Sequence, residues 1–201
     1  MLSNSNLMKK SRGISKTLYV LTHTETYDNN HRIFSGWRDS VLTKLGHQQA
    51  EAHAQKLKKQ DIDIAFISPL KRTRQTLKHI LKFHPEIKIY ADKRLIERHY
   101  GKLEGKSKPK YKLEHSDLYP IYHRSYNTPP PGGESMISVE KRVLRFLREV
   151  LVAMKKQKVN AIIIGHNNSI RPIRKFFEKL TTKQIMTTDN RHKIFRYKIR
   201  L

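Results

Sequence analysis

Short apolar runs, separated by longer amphipathic stretches, limit the folds open to this chain more than any other feature. Residues 18–21, 62–67, 87–90 and 161–164 each have the length and composition of a strand. Residues 194–199 alternate like a last one. Thr43 reads as the N-cap of a basic amphipathic helix running to about Lys59. Ser68 at the N-cap and Pro69 at the first helical position start a second, ending near Lys82, with Leu70, Leu77, Ile80 and Leu81 for its apolar face. Residues 139–156 place Val143, Leu147, Val150, Leu151 and Met154 on one side of a third, and a fourth spans about 170–180. Strands alternating with helices imply an α/β chain, a three-layer sandwich around a largely parallel central sheet. Between Glu97 and Ser135 the periodicity fades and Pro129, Pro130, Pro131, Gly132 and Gly133 crowd together. That stretch is expected as a loop-rich cap over the strand carboxyl ends. No repeat or linker divides residues 17–201, which are expected as one domain behind a flexible basic tail, residues 1–16.

Composition removes several functions. Cysteine is absent, so thiolate nucleophiles, disulfides and cysteine metal sites are excluded, and a cytoplasmic location is expected. No segment has the apolar length of a membrane span, and the Ser-, Asn- and Lys-rich residues 1–16 lack the apolar stretch of a secretory signal. The net charge of +25 draws anions of every kind. The basic residues are spread along the whole chain, however, and no nucleic-acid module is recognisable. A solvated lysine-rich surface and a small phosphorylated partner are therefore expected, with no specific nucleic acid and no membrane. Metal spacings such as H-E-x-x-H and the glycine-rich nucleotide loops are missing, so no metal is expected. His47, His53, His79 and His84 are expected on exposed helix faces.

His23 and His166 stand immediately after two of the apolar runs. Ligands of open α/β sheets bind at the carboxyl ends of the strands, so both histidines fall where a site would form. The helix start at Ser68 offers free N–H groups and the positive end of a dipole, both suited to an anion. Arg72 and Arg74 lie in or near its first turn. One of them can grip phosphate through a forked pair of bonds, and the other is expected on the surface.

Several segments, in order, resemble the histidine phosphatase superfamily, and within it the cofactor-dependent phosphoglycerate mutases. They are L-T-H-T-E-T-Y-D-N from Leu21, F-S-G-W-R-D from Phe34, S-P-L-K-R-T-R-Q-T from Ser68, L-I-E-R-H-Y-G-K-L-E-G-K-S-K from Leu95, H-R-S-Y-N-T-P-P-P from His123, then G-G-E-S and I-G-H-N-N-S-I-R. The resemblance implies that His23 is the nucleophile and becomes a phosphohistidine. It implies that Arg72 and His166 hold the phosphoryl oxygens and that Glu97 protonates the leaving oxygen. Asn29, Ser35, Gly36 and Asn168 match phosphate-pocket positions. Tyr100, Lys108 and Arg124 match those that hold a substrate's carboxylate and far phosphate. The implied activity is interconversion of 3- and 2-phosphoglycerate, primed by 2,3-bisphosphoglycerate and with no tightly bound cofactor. A phosphomonoester phosphatase and a catalytically impaired phosphate or polyanion binder are the alternatives. A homodimer is implied by analogy.

The chain departs from the family pattern beside its expected nucleophile. Thr22 stands where the family has arginine, Thr24 and Asn167 stand where it has glycine, and His123 replaces one of two adjacent arginines. A threonine hydroxyl offers one neutral bond where a guanidinium offers two charged ones. Loss of such a donor is expected to slow transfer by roughly a hundredfold to a thousandfold unless another cation substitutes. Arg32 and Arg98 are the candidates. Thr24 and Asn167 are expected to crowd the pocket or constrain the backbone.

Overall fold

Alternation along the apolar runs decides how the layers pack. In the computed structural model, which describes residues 15–201, Leu18 and Val20 of strand β1 (Ser15–Thr22) face one cluster of apolar side chains, and Tyr19 and Leu21 face another. Strand β4 (Ala161–Gly165) divides in the same way, with Ala161 and Ile163 on the first side and Ile162 and Ile164 on the second. A strand with both faces apolar must be covered twice.

The second side is covered by α2 (Lys44–Leu57), through Ala54 and Leu57, and by α3 (Lys71–Leu81), through Leu77 and Ile80. The first is covered by α6 (Met136–Gln157), through Val143, Leu147, Val150 and Met154, and by α7 (Asn167–Glu178), through Ile170 and Ile173. With β2 (Ile64–Ile67), β3 (Lys88–Ala91) and β5 (Ile194–Arg200), the strands form one five-stranded sheet in the order β3-β2-β4-β1-β5. All pairs are parallel except β1 with β5. The expected α/β sandwich is the fold observed. Truncating Ile163, fully buried in the central strand, to alanine is expected to lower unfolding free energy by about 2–5 kcal/mol in a denaturant titration.

The structure corrects some local expectations. Of the tail expected over residues 1–16, residues 1–14 lie outside the described residues, while Ser15 and Lys16 already belong to β1. The helix after β2 begins at Lys71, with Leu70 rather than Ser68 at the N-cap. Thr73 Oγ1 donates to the Ser68 carbonyl at 2.7 Å, and Leu70 N donates to Ser68 Oγ at 3.4 Å. These bonds hold Ser68–Pro69–Leu70 as a turn ahead of the helix. Residues 97–135 contain two short helices, α4 (Lys108–Glu114) and α5 (Leu118–Arg124). Ser107 caps the first through Lys110 N, with Pro109 in its first turn, a start signal the sequence did carry. The remaining α-helices are α1 (Tyr27–Asn30) and α8 (Thr182–Thr187). His53 is buried on α2 at 4% exposure, against the expectation that it decorates an exposed face. Among the described residues, no helix is long and apolar enough to cross a membrane.

Candidate active site

Strand register places the two histidines side by side. Thr22 at the end of β1 pairs with Gly165 at the end of β4, so the residues that follow, His23 and His166, emerge together. His23 N donates to the Gly165 carbonyl at 2.9 Å. The two rings meet edge-on, with centroids 5.1 Å apart. β2 runs beside β4, with Ile67 opposite Ile164, so α3 starts at the same sheet edge and delivers Arg72 to His166.

The bonds around the rings assign their protons. His23 Nδ1 lies 2.7 Å from the Thr24 carbonyl, which can only accept, so Nδ1 carries the hydrogen and Nε2 keeps its lone pair. His166 has the opposite tautomer. Arg72 Nε donates to His166 Nδ1 at 3.1 Å, which leaves the hydrogen on Nε2, and that atom is buried without a protein partner. One ring therefore offers a nucleophilic nitrogen and its neighbour an unspent donor. Burial and the Arg72 charge push the His23 pKa down to about 3, and the same causes hold His166 well below the usual imidazole range. Both rings are neutral at physiological pH.

These groups sit at a cavity of about 430 Å³. His23, Arg72, Glu97, Asn29, Ser35, Gly36, Tyr100, Lys108, Arg124 and Asn168 all line it, so ten of the eleven expected site residues share one cavity wall. His166, with no exposed surface, lies behind that wall against His23. Gly36 holds φ at +50°, and a side chain there would collide with Glu104. Its carbonyl accepts from Arg72 Nη2 at 2.8 Å, and the Arg38 carbonyl accepts from Arg72 Nη1 at 2.7 Å. Arg74, by contrast, is exposed, as expected for one of the pair. Glu97 is buried, and its Oε1 accepts from Arg98 N at 2.7 Å. Trp37 Nε1 and Arg142 Nη2 both donate to the Glu97 carbonyl, at 2.7 and 3.1 Å, and fix its backbone. Tyr100 OH accepts from Asn168 Nδ2 at 3.3 Å, and burial raises its pKa, so it remains a neutral phenol.

Sequence reading missed part of the wall. Arg171, Asp189, Arg191 and His192 also line the cavity. Arg171 is 2% exposed and donates to Asn168 Oδ1 at 2.7 Å and to the Thr188 carbonyl at 3.2 Å. Its place one helical turn after Asn168 was the available signal. With Arg32, Arg72, Lys108, Arg124 and Arg191, it makes the lining strongly cationic against Glu25, Glu97 and Asp189. Among the described residues, no group of three or more His, Asp or Glu is placed to hold a metal ion.

The unusual residues are built into this frame. Neither Thr24 nor Asn167 takes a positive φ, so the expected backbone constraint does not arise. Thr24 Oγ1 lies 3.4 Å from Thr76 Oγ1 on α3, tying the loop after β1 to that helix. Asn167 Oδ1 accepts from Asn190 N at 3.3 Å and from Asn190 Nδ2 at 3.1 Å. Asn190 is fully buried and also receives Arg174 Nη1 at 2.8 Å. Asn167 thus clasps the segment that carries Asp189 and Arg191 to the cavity. Arg98 is fully buried and does not line the cavity. It donates to the carbonyls of Glu134 and Thr128, at 2.7 and 3.3 Å, which removes it as a substitute for the arginine missing at position 22.

A largely parallel α/β sheet that sets a lining histidine, backed by a second, and a buried arginine at a cationic cavity defines a phosphate-handling class. Residues 18–192 match the model of the histidine phosphatase superfamily, branch 1, and the chain belongs to that superfamily. It is 34% identical over 178 residues to a 2,3-bisphosphoglycerate-dependent phosphoglycerate mutase of Brucella melitensis, covering 86% of each chain. Among solved structures it resembles Bacillus stearothermophilus YhfR, with a TM-score of 0.80, 23% identity and 90% of each chain covered. It also resembles a mycobacterial glucosyl-3-phosphoglycerate phosphatase, with a TM-score of 0.78 and 21% identity, covering 91% of this chain and 90% of that one.

Proposed function

We propose that the chain is a phosphoglycerate mutase-like enzyme that works through a phosphohistidine at His23. The complementary tautomers of His23 and His166 carry this reading. The His23 Nε2 lone pair attacks phosphorus and forms the N–P bond. The P–O bond of the ester breaks, and the leaving oxygen keeps its electron pair and takes a proton from Glu97. In the return step the acceptor hydroxyl oxygen attacks phosphorus, its proton passes to the Glu97 carboxylate, and the N–P pair returns to Nε2. The His166 Nε2–H and the Arg72 hydrogens not bound to carbonyls act on the non-bridging oxygens, where charge builds.

The 34% sequence identity to the Brucella mutase and the lining by Tyr100, Lys108 and Arg124 favour a small phosphorylated acid with a second anionic end, such as 3-phosphoglycerate, with 2,3-bisphosphoglycerate as primer. The alternative is a phosphomonoester phosphatase, favoured by likeness to the mycobacterial phosphatase, in which water takes the phosphoryl group. The test is to incubate the protein with 2,3-bisphosphoglycerate and 3-phosphoglycerate and to follow acid-labile phosphoprotein and 2-phosphoglycerate. Both are expected. Phosphate release without 2-phosphoglycerate would move the reading to the phosphatase. Folded protein giving neither would leave the impaired binder motivated by Thr22.

A further inference from the structure

Arg72 is the one guanidinium bonded to the histidine pair, and much of its capacity is spent. Three of its bonds go to His166, Gly36 and Arg38, which leaves one hydrogen on each terminal nitrogen. A transferring phosphoryl group carries charge on three equatorial oxygens. Thr22 and Thr24 beside His23 add no charge.

Arg32 lines the same cavity, on the same β1-to-α2 connection as His23. Arg171 and Arg191 are held by Asn168 and Asp189, and Arg124 reaches the Met186 carbonyl. Among the described residues, the Arg32 guanidinium is the one lining the cavity that makes no hydrogen bond or ion pair with the protein. Its backbone stands at φ +54°, a left-handed conformation that glycine and asparagine occupy more readily than arginine. The neighbours enforce it: Arg32 N donates to the Asn29 carbonyl at 3.1 Å, Lys108 N donates to the Arg32 carbonyl at 2.9 Å, and Ile33 bridges to Ser107. A long, exposed cationic side chain is thus kept at a position whose backbone favours other residues, on the wall of the cavity that His23 also lines. Strain retained by its surroundings is common at functional sites.

We infer that Arg32 is a catalytic residue that supplies the second forked grip on the phosphoryl oxygens, the charge that Thr22 does not provide. The inference rests on the proposed phosphoryl transfer. Arg32 makes and breaks no covalent bond. Its N–H groups bond two non-bridging oxygens as charge grows on them.

The test compares Arg32→Asn and Arg32→Lys with the unaltered protein in two measurements. These are the rate of phosphohistidine formation from 2,3-bisphosphoglycerate, and the binding of inorganic phosphate by calorimetry. Asparagine is suited to the backbone, so Arg32→Asn is expected to unfold at the same temperature or higher. It is expected to be phosphorylated about tenfold to a hundredfold more slowly and to bind phosphate about tenfold more weakly. Arg32→Lys keeps the charge without the fork and is expected between the two. Adding Thr22→Arg to Arg32→Asn is expected to restore part of the rate. A rate and a phosphate affinity for Arg32→Asn within twofold of the unaltered protein would overturn the inference. If the unaltered protein forms no phosphohistidine, the proposed transfer fails by itself, and the phosphate affinities still decide whether Arg32 grips the anion.

Discussion

Replacing His23 by alanine is expected to eliminate acid-labile phosphoprotein and to lower turnover of any phosphoester by about 10⁴-fold or more. The size follows from what the ring supplies. Its Nδ1–H is fixed on the Thr24 carbonyl, so Nε2 is a nucleophile with one orientation and no proton to lose first. Holding its pKa near 3 keeps that nitrogen bare through the physiological range. No other imidazole lining the cavity can take over. His123 is held by its packing against Phe34 and Tyr119, and His192 is carried on the segment clasped by Asn167. His166→Ala should cost less, about a hundredfold to a thousandfold, because it removes a donor to the oxygens and one anchor of Arg72. The double variant is expected to be no slower than His23→Ala alone, since the second ring acts only on a group the first must receive. Single-turnover phosphorylation of the three variants measures this. Substantial phosphohistidine in His23→Ala would place the nucleophile elsewhere.

The legible part of this site was the part set by strand order. A short apolar run ending in histidine occurs twice, and parallel pairing brings the two ends together whatever the loops do, as Thr22 opposite Gly165 shows. Arg72 was legible because a strand followed by a helix start must return to the same sheet edge. Arg191 was not, because its arrival depends on a fold-back of residues 187–192 closed by Asn167 and the buried Asn190, and asparagine carries no periodicity. Arg142 was hidden for another reason. It lies on α6 as one basic residue among several, and only tertiary structure shows its bonds to the carbonyls of Arg94, Ile96 and Glu97. His53 was misplaced because its residue type outweighed its position: it stands on the stripe of Ala50, Ala54 and Leu57 that faces the sheet, where the spacing alone would have buried it. Helices α4 and α5 are too short for periodicity to register, and capping at Ser107 was their one local signal.

Acid should unfold this protein earlier than carboxylate protonation alone would bring about. Four histidines are held below their ordinary pKa, each first by burial: His23 and His123 at about 3, His53 at about 4, and His166 well down. Arg72 adds repulsion at His23 and His166, Arg124 and Lys108 at His123, and Lys56 and His192 at His53. In the unfolded chain each would titrate near 6.5. Between about pH 6.5 and the folded values the unfolded state therefore binds more protons, and stability falls as pH falls. Above about pH 7 these groups contribute nothing to the slope. Each ring that stays neutral removes about 1.4 kcal/mol per pH unit. His53 alone, 4% exposed and held at about 4, should then cost about 2 kcal/mol between pH 6 and 4.5, a sizeable share of a typical domain's 5–15 kcal/mol, and His166 acts in the same direction. Carboxylates with lowered pKa, such as Asp189 at about 2, act below this window and are separable from it. Guanidinium titrations at half-unit steps from pH 7.5 to 4.5 measure the slope, and high salt removes the part due to the net charge of +25. His53→Leu should flatten the slope by about one histidine's share. Saturating phosphate should shift the loss to lower pH, because it stabilises the folded state by mass action and favours the protonated rings beside it. Stability that stays level from pH 7 to 5 would mean these rings take up protons in the fold as readily as in the unfolded chain, against the burial argued for them.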